Sequence, residues 1–110
     1  MKFTRDHVLT DIIYIEPKLW GDDRGYFFES YKEDLFKQNG IHCNFVQDNQ
    51  SYSQKHVLRG LHFQRAPKAQ AKLVRCLDGE IFDVAVDIRK NSPTFGKWTG
   101  VVLNGADQEL

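Results

Sequence analysis

The sequence has few of the residues that cross-link a fold or interrupt its helices and strands. Its 110 residues include two cysteines, three prolines and one methionine. Cys43 and Cys76 lie in unrelated segments, with no C-x-x-C pattern and no histidine nearby at metal-ligand spacing. We therefore interpret both as buried or half-buried thiols in a reducing compartment, in preference to a disulfide.

The chain also lacks the features of an exported or membrane protein and of a nucleic-acid binder. Residues 1–7 contain no apolar stretch of the signal-peptide kind, and no apolar run reaches transmembrane length. A cytoplasmic protein is the expectation. Fifteen Lys and Arg residues balance fifteen Asp and Glu residues, so the basic footprint of a nucleic-acid binder is absent. An anionic ligand would have to be held by a local cluster of cations.

What is present indicates one folded domain, residues 1–110, rich in short strands. Hydrophobic residues make up 41% of the chain and aromatic residues 13%, which is typical of a globular protein. Strands are predicted by alternation and by flanking turn residues at 12–15, 25–28, 45–47, 57–64, 71–77, 80–88 and 97–103. Asp78-Gly79 predicts a tight hairpin between the fifth and sixth of these strands, and a turn is predicted at 91–96.

One short helix is predicted at residues 31–39. Ser30 with Glu33 resembles a capping box at its start, and Gly40 can close its end. Antiparallel strands at short spacing around a single helix predict an all-β sandwich or barrel.

Alternation assigns two faces to the strand at 80–88. One face carries the apolar set Phe82, Val84, Val86 and Ile88, and the other carries Ile81, Asp83, Ala85 and Asp87. Carboxylates on such a face are expected to be solvated. If this face lines a cavity instead, Asp83 becomes a polar site residue.

The segment 57–64 combines a histidine, an arginine and a glycine in an apolar run, and Lys72 follows eight residues later. Arg59 and His62 have opposite parity, so both reach one site only if the strand bends at Gly60. A base and a cation held together suit the removal of a proton from carbon, with the cation stabilising the oxyanion that results. The alternative is a core histidine with surface cations.

Five blocks of the sequence resemble the dTDP-4-dehydrorhamnose 3,5-epimerase family. They are the runs QDN at 47–49, VLRGLHFQ at 57–64, KLVRC at 72–76, GEIFDVAVDIRK at 79–90 and SPTFGKW at 92–98. The resemblance starts near Ile12 and continues to the last residue. It implies a cupin-type antiparallel jelly roll, a homodimer that exchanges strands and an epimerase without an organic cofactor. The implied substrate is a dTDP-linked 4-keto-6-deoxy-hexose of the dTDP-L-rhamnose pathway.

The resemblance also implies residue roles. His62 matches the general base, and Lys72 matches the cation beside the keto oxygen. The positions that match substrate contacts are Arg24, Glu29, Gln47, Asp48, Asn49, Arg59 and Lys72. Phe27 or Phe28 is a candidate for stacking on thymine, and alternation places only one of them on the ligand face; we take Phe27. The segment 24–29 is the expected contribution to the partner subunit's nucleotide site.

Metal binding is disfavoured by two positions. Metal-binding cupins carry a His-x-His pair and a glutamate seven residues before a glycine. In this chain the pair reads His62-Phe-Gln64, and Lys72 stands seven residues before Gly79. A lysine at a ligand position repels a divalent ion, so we expect no metal and no metal-dependent oxygenase. His7, His42 and His56 are read as surface residues.

The family continues well past the position of Leu110. The resemblance therefore implies that the proton-donor tyrosine, a second histidine and the aspartate that orients the base are not in these 110 residues. An incomplete jelly roll is the expected fold. The alternative function is a dTDP-sugar-binding fragment with impaired catalysis.

Overall fold

The structure is a computed structural model that describes residues 1–106. Within that range it contains six strands and one helix: β1 Lys2–Arg5, β2 Ile13–Glu16, β3 Trp20–Asp22, β4 Gly25–Phe27, α1 Glu33–Gln38, β5 Glu80–Val86 and β6 Trp98–Asn104. The strands form three antiparallel two-stranded sheets, β1–β2, β3–β4 and β5–β6. The described chain is thus mainly β with one short helix, which confirms the predicted fold class.

The β5–β6 hairpin is the longest element. Glu80 lies opposite Asn104 and Val86 lies opposite Trp98. Its long loop contains the predicted turn, and the N–H of Gly96 donates to the carbonyl of Asp87 across 2.7 Å. The short β3–β4 hairpin has a two-residue loop, because Asp22 already pairs with Gly25. Strands β1 and β3 were not predicted.

Helix α1 is shorter than predicted, and the capping box is wrong. Its N-cap is Lys32, which offers no side-chain hydrogen bond to the first turn. Glu33 is therefore the first helical residue and forms an ion pair with Lys37 instead of reaching back to Ser30. The predicted end is confirmed: Gly40 has φ +87°, and its N–H donates to the carbonyl of Lys37. A residue with a side chain would be strained in that conformation.

The aromatic part of the core forms where Phe36 of α1 meets Phe3 of β1 and Tyr31. Phe36 and Ile15 are fully buried, and the other buried apolar residues are Leu9, Cys76 and Leu103. The rings of Phe3 and Tyr31 meet Phe36 edge to face, with centroids 5.5 and 4.7 Å from it. Such contacts add about 0.5–1.5 kcal/mol to the burial of each pair.

The prediction of buried or half-buried thiols is confirmed. Cys76 is buried and Cys43 is half-buried, and both are free. The Sγ of Cys76 lies 3.3 Å from the carbonyl oxygen of Asp78, to which it donates.

Three predicted strands are wrong. The segments 45–47, 57–64 and 71–77 have no ladder partner among residues 1–106, and β5 pairs with β6 and not with 71–77. The tight hairpin at Asp78-Gly79 is therefore wrong as well. A run of β-forming residues becomes a strand only where a neighbour accepts its backbone hydrogen bonds. The described part of the chain offers these segments no such neighbour.

Neither face of β5 is buried along its length: Ile81 and Ala85 are exposed on one face, and Val84 and Val86 are half-buried on the other. Asp83 and Ala85 face β2 and line a cavity of about 60 Å³ together with Tyr14 and Thr99. Phe82, on the apolar face, is 64% exposed. Asp83 thus lies beside a cavity, but none of the predicted site residues lines that cavity.

Asp87 is buried, so the expectation that it is solvated is wrong. Its carboxylate accepts hydrogen bonds from the Nε and Nη2 of Arg89 and from the hydroxyls of Ser92 and Thr94. The Arg89 guanidinium, followed by the two hydroxyls, holds the pKa of Asp87 well below its usual range. A buried carboxylate is tolerated when its lone pairs are satisfied in this way.

Two polar ties hold the N-terminal hairpin on the β5–β6 hairpin. Asp6 accepts from the backbone N–H groups of Val8 and Leu9, from the hydroxyl of Tyr14 and from that of Thr99 in β6. These bonds, led by the one from Leu9, lower the pKa of Asp6 against the opposing effect of burial. Arg89 adds the second tie, an ion pair of 2.7 Å with Asp11.

Candidate active site

The β3–β4 hairpin presents Arg24 at its tip. The N–H of Arg24 donates to Asp22 across 2.8 Å, and its guanidinium pairs with the same carboxylate. This pairing lowers the pKa of Asp22 and raises that of Arg24. Both side chains are exposed, so the pair is solvent-screened and can exchange Asp22 for another anion.

Phe27 is the exposed ring of this hairpin. It pairs with Trp20 across the two strands and is 72% exposed. Phe28 is half-buried, and its ring lies 6.1 Å from that of Tyr26 and 5.5 Å from the guanidinium of Arg75. Alternation therefore leaves Phe27 as the ring available for stacking. Glu29 follows directly and is exposed.

Residues 47–49 are exposed, and they follow Phe45, whose ring packs against Tyr31. Phe45 meets Tyr31 edge to face at 5.9 Å, which ties the start of the block to the core. The Nε2 of Gln47 donates to the Oδ1 of Asn49 across 3.3 Å, so the two side chains lie on one side as their shared parity predicts. Asp48, between them, is exposed.

Arg59 and His62 flank a glycine in a left-handed conformation. Gly60 has φ +118°, which residues with a side chain rarely adopt. Residues 57–64 form no ladder, turn or bend in the described chain, so neither a bulge nor a kinked strand is present at Gly60. The Nε of Arg59 donates to the hydroxyl of Ser53, and its Nη2 donates to the carbonyl of Tyr52. Both partners are neutral, and no carboxylate of residues 1–106 forms an ion pair with Arg59.

His62 and Lys72 are both exposed. Within residues 1–106 neither forms an ion pair or a side-chain hydrogen bond, and the structure does not bring them into contact with each other. The Arg75–Phe28 contact does link the segment that carries Lys72 to the hairpin that carries Arg24. The sequence analysis did not predict the contact between Arg75 and Phe28. The available signal was that Arg75 shares one side of the segment with the apolar residues Leu73 and Leu77.

The larger of the two cavities lies away from the predicted site residues. It measures about 450 Å³ and opens between Thr10, Asp11 and the loop from Arg89 to Thr94. None of the predicted site residues lines it, and Arg89 is held there by Asp87 and Asp11. This cavity is therefore a space beside the structural tie and not the predicted site.

In the part of the chain that the structure describes, no group of three or more His, Cys, Asp or Glu side chains is placed to hold a metal ion. No helix within residues 1–106 is long and apolar enough to cross a membrane.

Comparison with known proteins gives one consistent result. The family model described as dTDP-4-dehydrorhamnose 3,5-epimerase matches residues 6–110. An enzyme of that name from Salmonella typhimurium is 58% identical over 101 residues, covering 91% of this chain and 55% of the relative. One from Methanothermobacter thermautotrophicus is 59% identical over 96 residues, covering 87% of this chain and 51% of the relative. The chain thus spans about half the length of the curated relatives it matches.

Solved structures agree over nearly the whole chain. A dTDP-4-dehydrorhamnose 3,5-epimerase from Bacillus anthracis, with TDP and PPi bound, superposes with a TM-score of 0.93 at 47% identity. The superposition covers 98% of this chain and 62% of the Bacillus chain. A dTDP-6-deoxy-D-glucose-3,5-epimerase from Legionella pneumophila, in complex with dTDP-4-keto-L-rhamnose, superposes with a TM-score of 0.92 at 50% identity. The superposition covers 98% of this chain and 57% of the Legionella chain.

Proposed function

This chain belongs to the dTDP-4-dehydrorhamnose 3,5-epimerase family, and from that membership we propose that it serves as an epimerase, an isomerase of a dTDP-linked 4-keto-6-deoxy-hexose. The reaction converts dTDP-4-dehydro-6-deoxy-glucose to dTDP-4-dehydrorhamnose in dTDP-L-rhamnose biosynthesis. The observation that carries the proposal is the close superposition on the Legionella enzyme, whose complex contains a dTDP-4-keto sugar.

The chemistry is proton transfer next to a ketone. The C4 carbonyl makes the hydrogens on C3 and C5 acidic, because the carbanion delocalises onto oxygen as an enolate. Removal of such a proton needs a base that works near neutral pH, and histidine is the side chain whose ordinary pKa suits this task. Return of a proton from the opposite face inverts the carbon.

In this proposal His62 is the base and Lys72 stabilises the enolate oxygen. A positioned general base contributes about 10²–10⁴-fold to the rate. A donor aimed at the developing oxyanion contributes about 10²–10³-fold. Both side chains are exposed and have no side-chain partner in the described chain, so both are available to a substrate. The ammonium of Lys72 supplies the charge with no metal ion and no organic cofactor.

The remaining residues bind the nucleotide and sugar. Arg24 and Arg59 present planar guanidinium groups to the diphosphate. Arg59 has only neutral partners, whereas Arg24 must exchange Asp22 for phosphate. The polar contacts assigned to the sugar and base edges are Glu29, Gln47, Asp48 and Asn49, and Phe27 stacks on thymine.

A homodimer that exchanges strands is part of the proposal, as is a single cupin-type domain over residues 1–110. The segments 45–47, 57–64 and 71–77 have strand-like sequences but no ladder in the described chain. Leu58 and Leu61 are also largely exposed there. Partner strands would satisfy both features. Neither nucleic acid nor a membrane is an expected partner, and a cytoplasmic location stays a prediction.

A second candidate function is binding of the dTDP-sugar without turnover. The observation that favours it is that no carboxylate among residues 1–106 hydrogen-bonds His62 to fix its ring. A catalytic imidazole generally needs such an orienting partner.

Isotope exchange separates the two candidates. In D₂O, a base that removes a carbon-bound proton introduces deuterium at C3 or C5 of the keto sugar even when inversion is slow. We expect uptake, followed by NMR, that is lost in His62→Asn and retained in the matched control His42→Asn. Lys72→Ala should weaken binding of the keto sugar far more than binding of free dTDP, as measured by calorimetry.

Three outcomes are informative. Uptake that survives in His62→Asn removes His62 from the role of base. Uptake at the buffer background with intact dTDP binding selects the binding-only candidate. Loss of both uptake and dTDP binding in the unmodified chain contradicts both candidates.

A further inference from the structure

The cations of this chain are unevenly distributed. Residues 49–77 contain none of the fifteen acidic residues but six of the fifteen cations. These six are Lys55, Arg59, Arg65, Lys68, Lys72 and Arg75. A neutral chain therefore carries a strongly positive segment, and it is the same segment that holds His62.

Two of these cations, Arg65 and Lys68, lie at the two ends of one turn. The N–H of Lys68 donates to the carbonyl of Arg65 across 2.8 Å, which closes a turn with these residues at its ends. Such a turn holds its end Cα atoms within about 7 Å. Both side chains are exposed, and neither forms an ion pair with another residue of the described range 1–106. We name residues 65–68 the basic turn.

Chain geometry fixes how far the basic turn can lie from the proposed site. Arg65 follows His62 by three residues, so their Cα atoms are at most about 11 Å apart. Lys68 precedes Lys72 by four residues, a span of at most about 14 Å. The Debye length is about 30 Å at 0.01 M ionic strength and about 8 Å at physiological ionic strength. At low salt the field of the turn therefore reaches a ligand at His62 and Lys72 without contact, and physiological salt screens part of it.

We propose that the basic turn is an electrostatic capture site that accelerates association of the nucleotide diphosphate with the site at His62 and Lys72. This inference rests on the proposed function, which makes a nucleoside-diphosphate sugar the ligand. A positive patch beside a binding site raises the association rate and leaves the dissociation rate to the groups in contact. The basic turn and Arg59 thus differ in which rate constant they control.

The test is the association rate of dTDP with a fluorescent N-methylanthraniloyl label, followed by stopped flow. Arg65→Gln/Lys68→Gln removes the pair, and Lys90→Gln/Lys97→Gln is the matched control with the same change in net charge. At low salt we expect association with the first variant to slow by about three- to tenfold. Its dissociation rate stays unchanged, and the control stays within about twofold. At about 1 M salt, where the Debye length is about 3 Å, the difference disappears.

Several results would overturn the inference. Equal association rates for the two double variants would show that only net charge matters. A faster dissociation from Arg65→Gln/Lys68→Gln would make these residues contacts and not steering groups. Binding of a single-stranded oligonucleotide that depends on the same pair would assign the turn to nucleic acid. Failure of the unmodified protein to bind the labelled nucleotide would overturn the proposed function and this inference together.

Discussion

Two regions of this molecule use polar side chains in opposite ways. In the scaffold, formed by the β1–β2 and β5–β6 hairpins with α1, the carboxylates of Asp6 and Asp87 are buried and fully hydrogen-bonded. In the site segment, residues 41–75, His62 and Lys72 are exposed and have no side-chain partner among the described residues. The contrast separates polar groups that hold the fold from polar groups that are free to meet a ligand.

The largest difference in stability between the two regions is expected when one aromatic ring is removed from each. Phe36 is 1% exposed in the scaffold, whereas Phe63 is 61% exposed in the site segment. Phe36→Ala should lower the free energy of unfolding by about 3–5 kcal/mol, because it leaves a cavity that the core cannot fill. Phe63→Ala should change it by less than about 0.5 kcal/mol. Urea unfolding measures both, and equal losses would contradict the division into two regions.

The next effect concerns acid stability and the buried carboxylate of Asp6. Asp6→Asn should lower the free energy of unfolding at pH 7 by about 2 kcal/mol, through loss of its charge-assisted hydrogen bonds. The pKa of Asp6 is lowered in the folded protein. The stabilisation it provides is therefore present above the unfolded pKa, near about 4, and is lost as the pH falls below that value. Urea unfolding between pH 7 and pH 2 should show a shallower decline for Asp6→Asn than for the unmodified protein.

Asp22 is the matched control for that experiment. Its pKa is also lowered, by Arg24, but the pair is exposed to solvent. Asp22→Asn should therefore leave the acid limb of the stability curve almost unchanged. An equal loss of acid dependence in both variants would mean that burial is not what makes Asp6 stabilising.

Two arginines sharpen the comparison through ligand binding. Arg59 has neutral partners in the site segment, and Arg89 is held by Asp87 and Asp11 in the scaffold. Arg59→Gln should weaken dTDP binding on the order of tenfold, through loss of a charged hydrogen bond, with no change in melting temperature. Arg89→Gln should lower the melting temperature with no change in dTDP affinity. Calorimetry and thermal unfolding of both variants test this, and any other pattern removes the assignment.

The smallest expected effect is that of metal removal. Gln64 and Lys72 stand where metal-binding cupins place ligands, and a chelator should therefore leave dTDP binding unchanged. Elemental analysis of the purified protein should find no stoichiometric zinc, iron or manganese. One equivalent of tightly held metal that is lost in His62→Asn would contradict the site assignment.

Local features of the fold could be predicted from the sequence, whereas strand pairing could not. The end of α1 follows from Gly40, and the position of β6 follows from alternation; both are set within a few residues. The partner of β5 is a long-range choice. The Asp78-Gly79 dipeptide favoured the segment before it, and the ladder formed with β6 instead. Alternation also separated the two faces of β5, but it did not show that Asp83 shares a cavity with Tyr14 of β2.

The candidate site shows the same limit. The roles proposed for His62, Lys72, Arg24 and Arg59 came from the family resemblance. Their mutual placement depends on contacts between distant segments, such as Arg75 on the ring of Phe28. The tie between Asp6 and Thr99 spans 93 residues and leaves no local pattern to read.

That tie has a consequence for how the chain can vary. Because Asp6 bonds to Thr99 and Asp11 pairs with Arg89, the two ends of the described chain close a loop that contains the whole site segment. The free-energy cost of closing a flexible loop rises only with the logarithm of its length, by about 0.6 kcal/mol for each doubling. Changes in the length of the site segment are therefore expected to change the stability of the scaffold little.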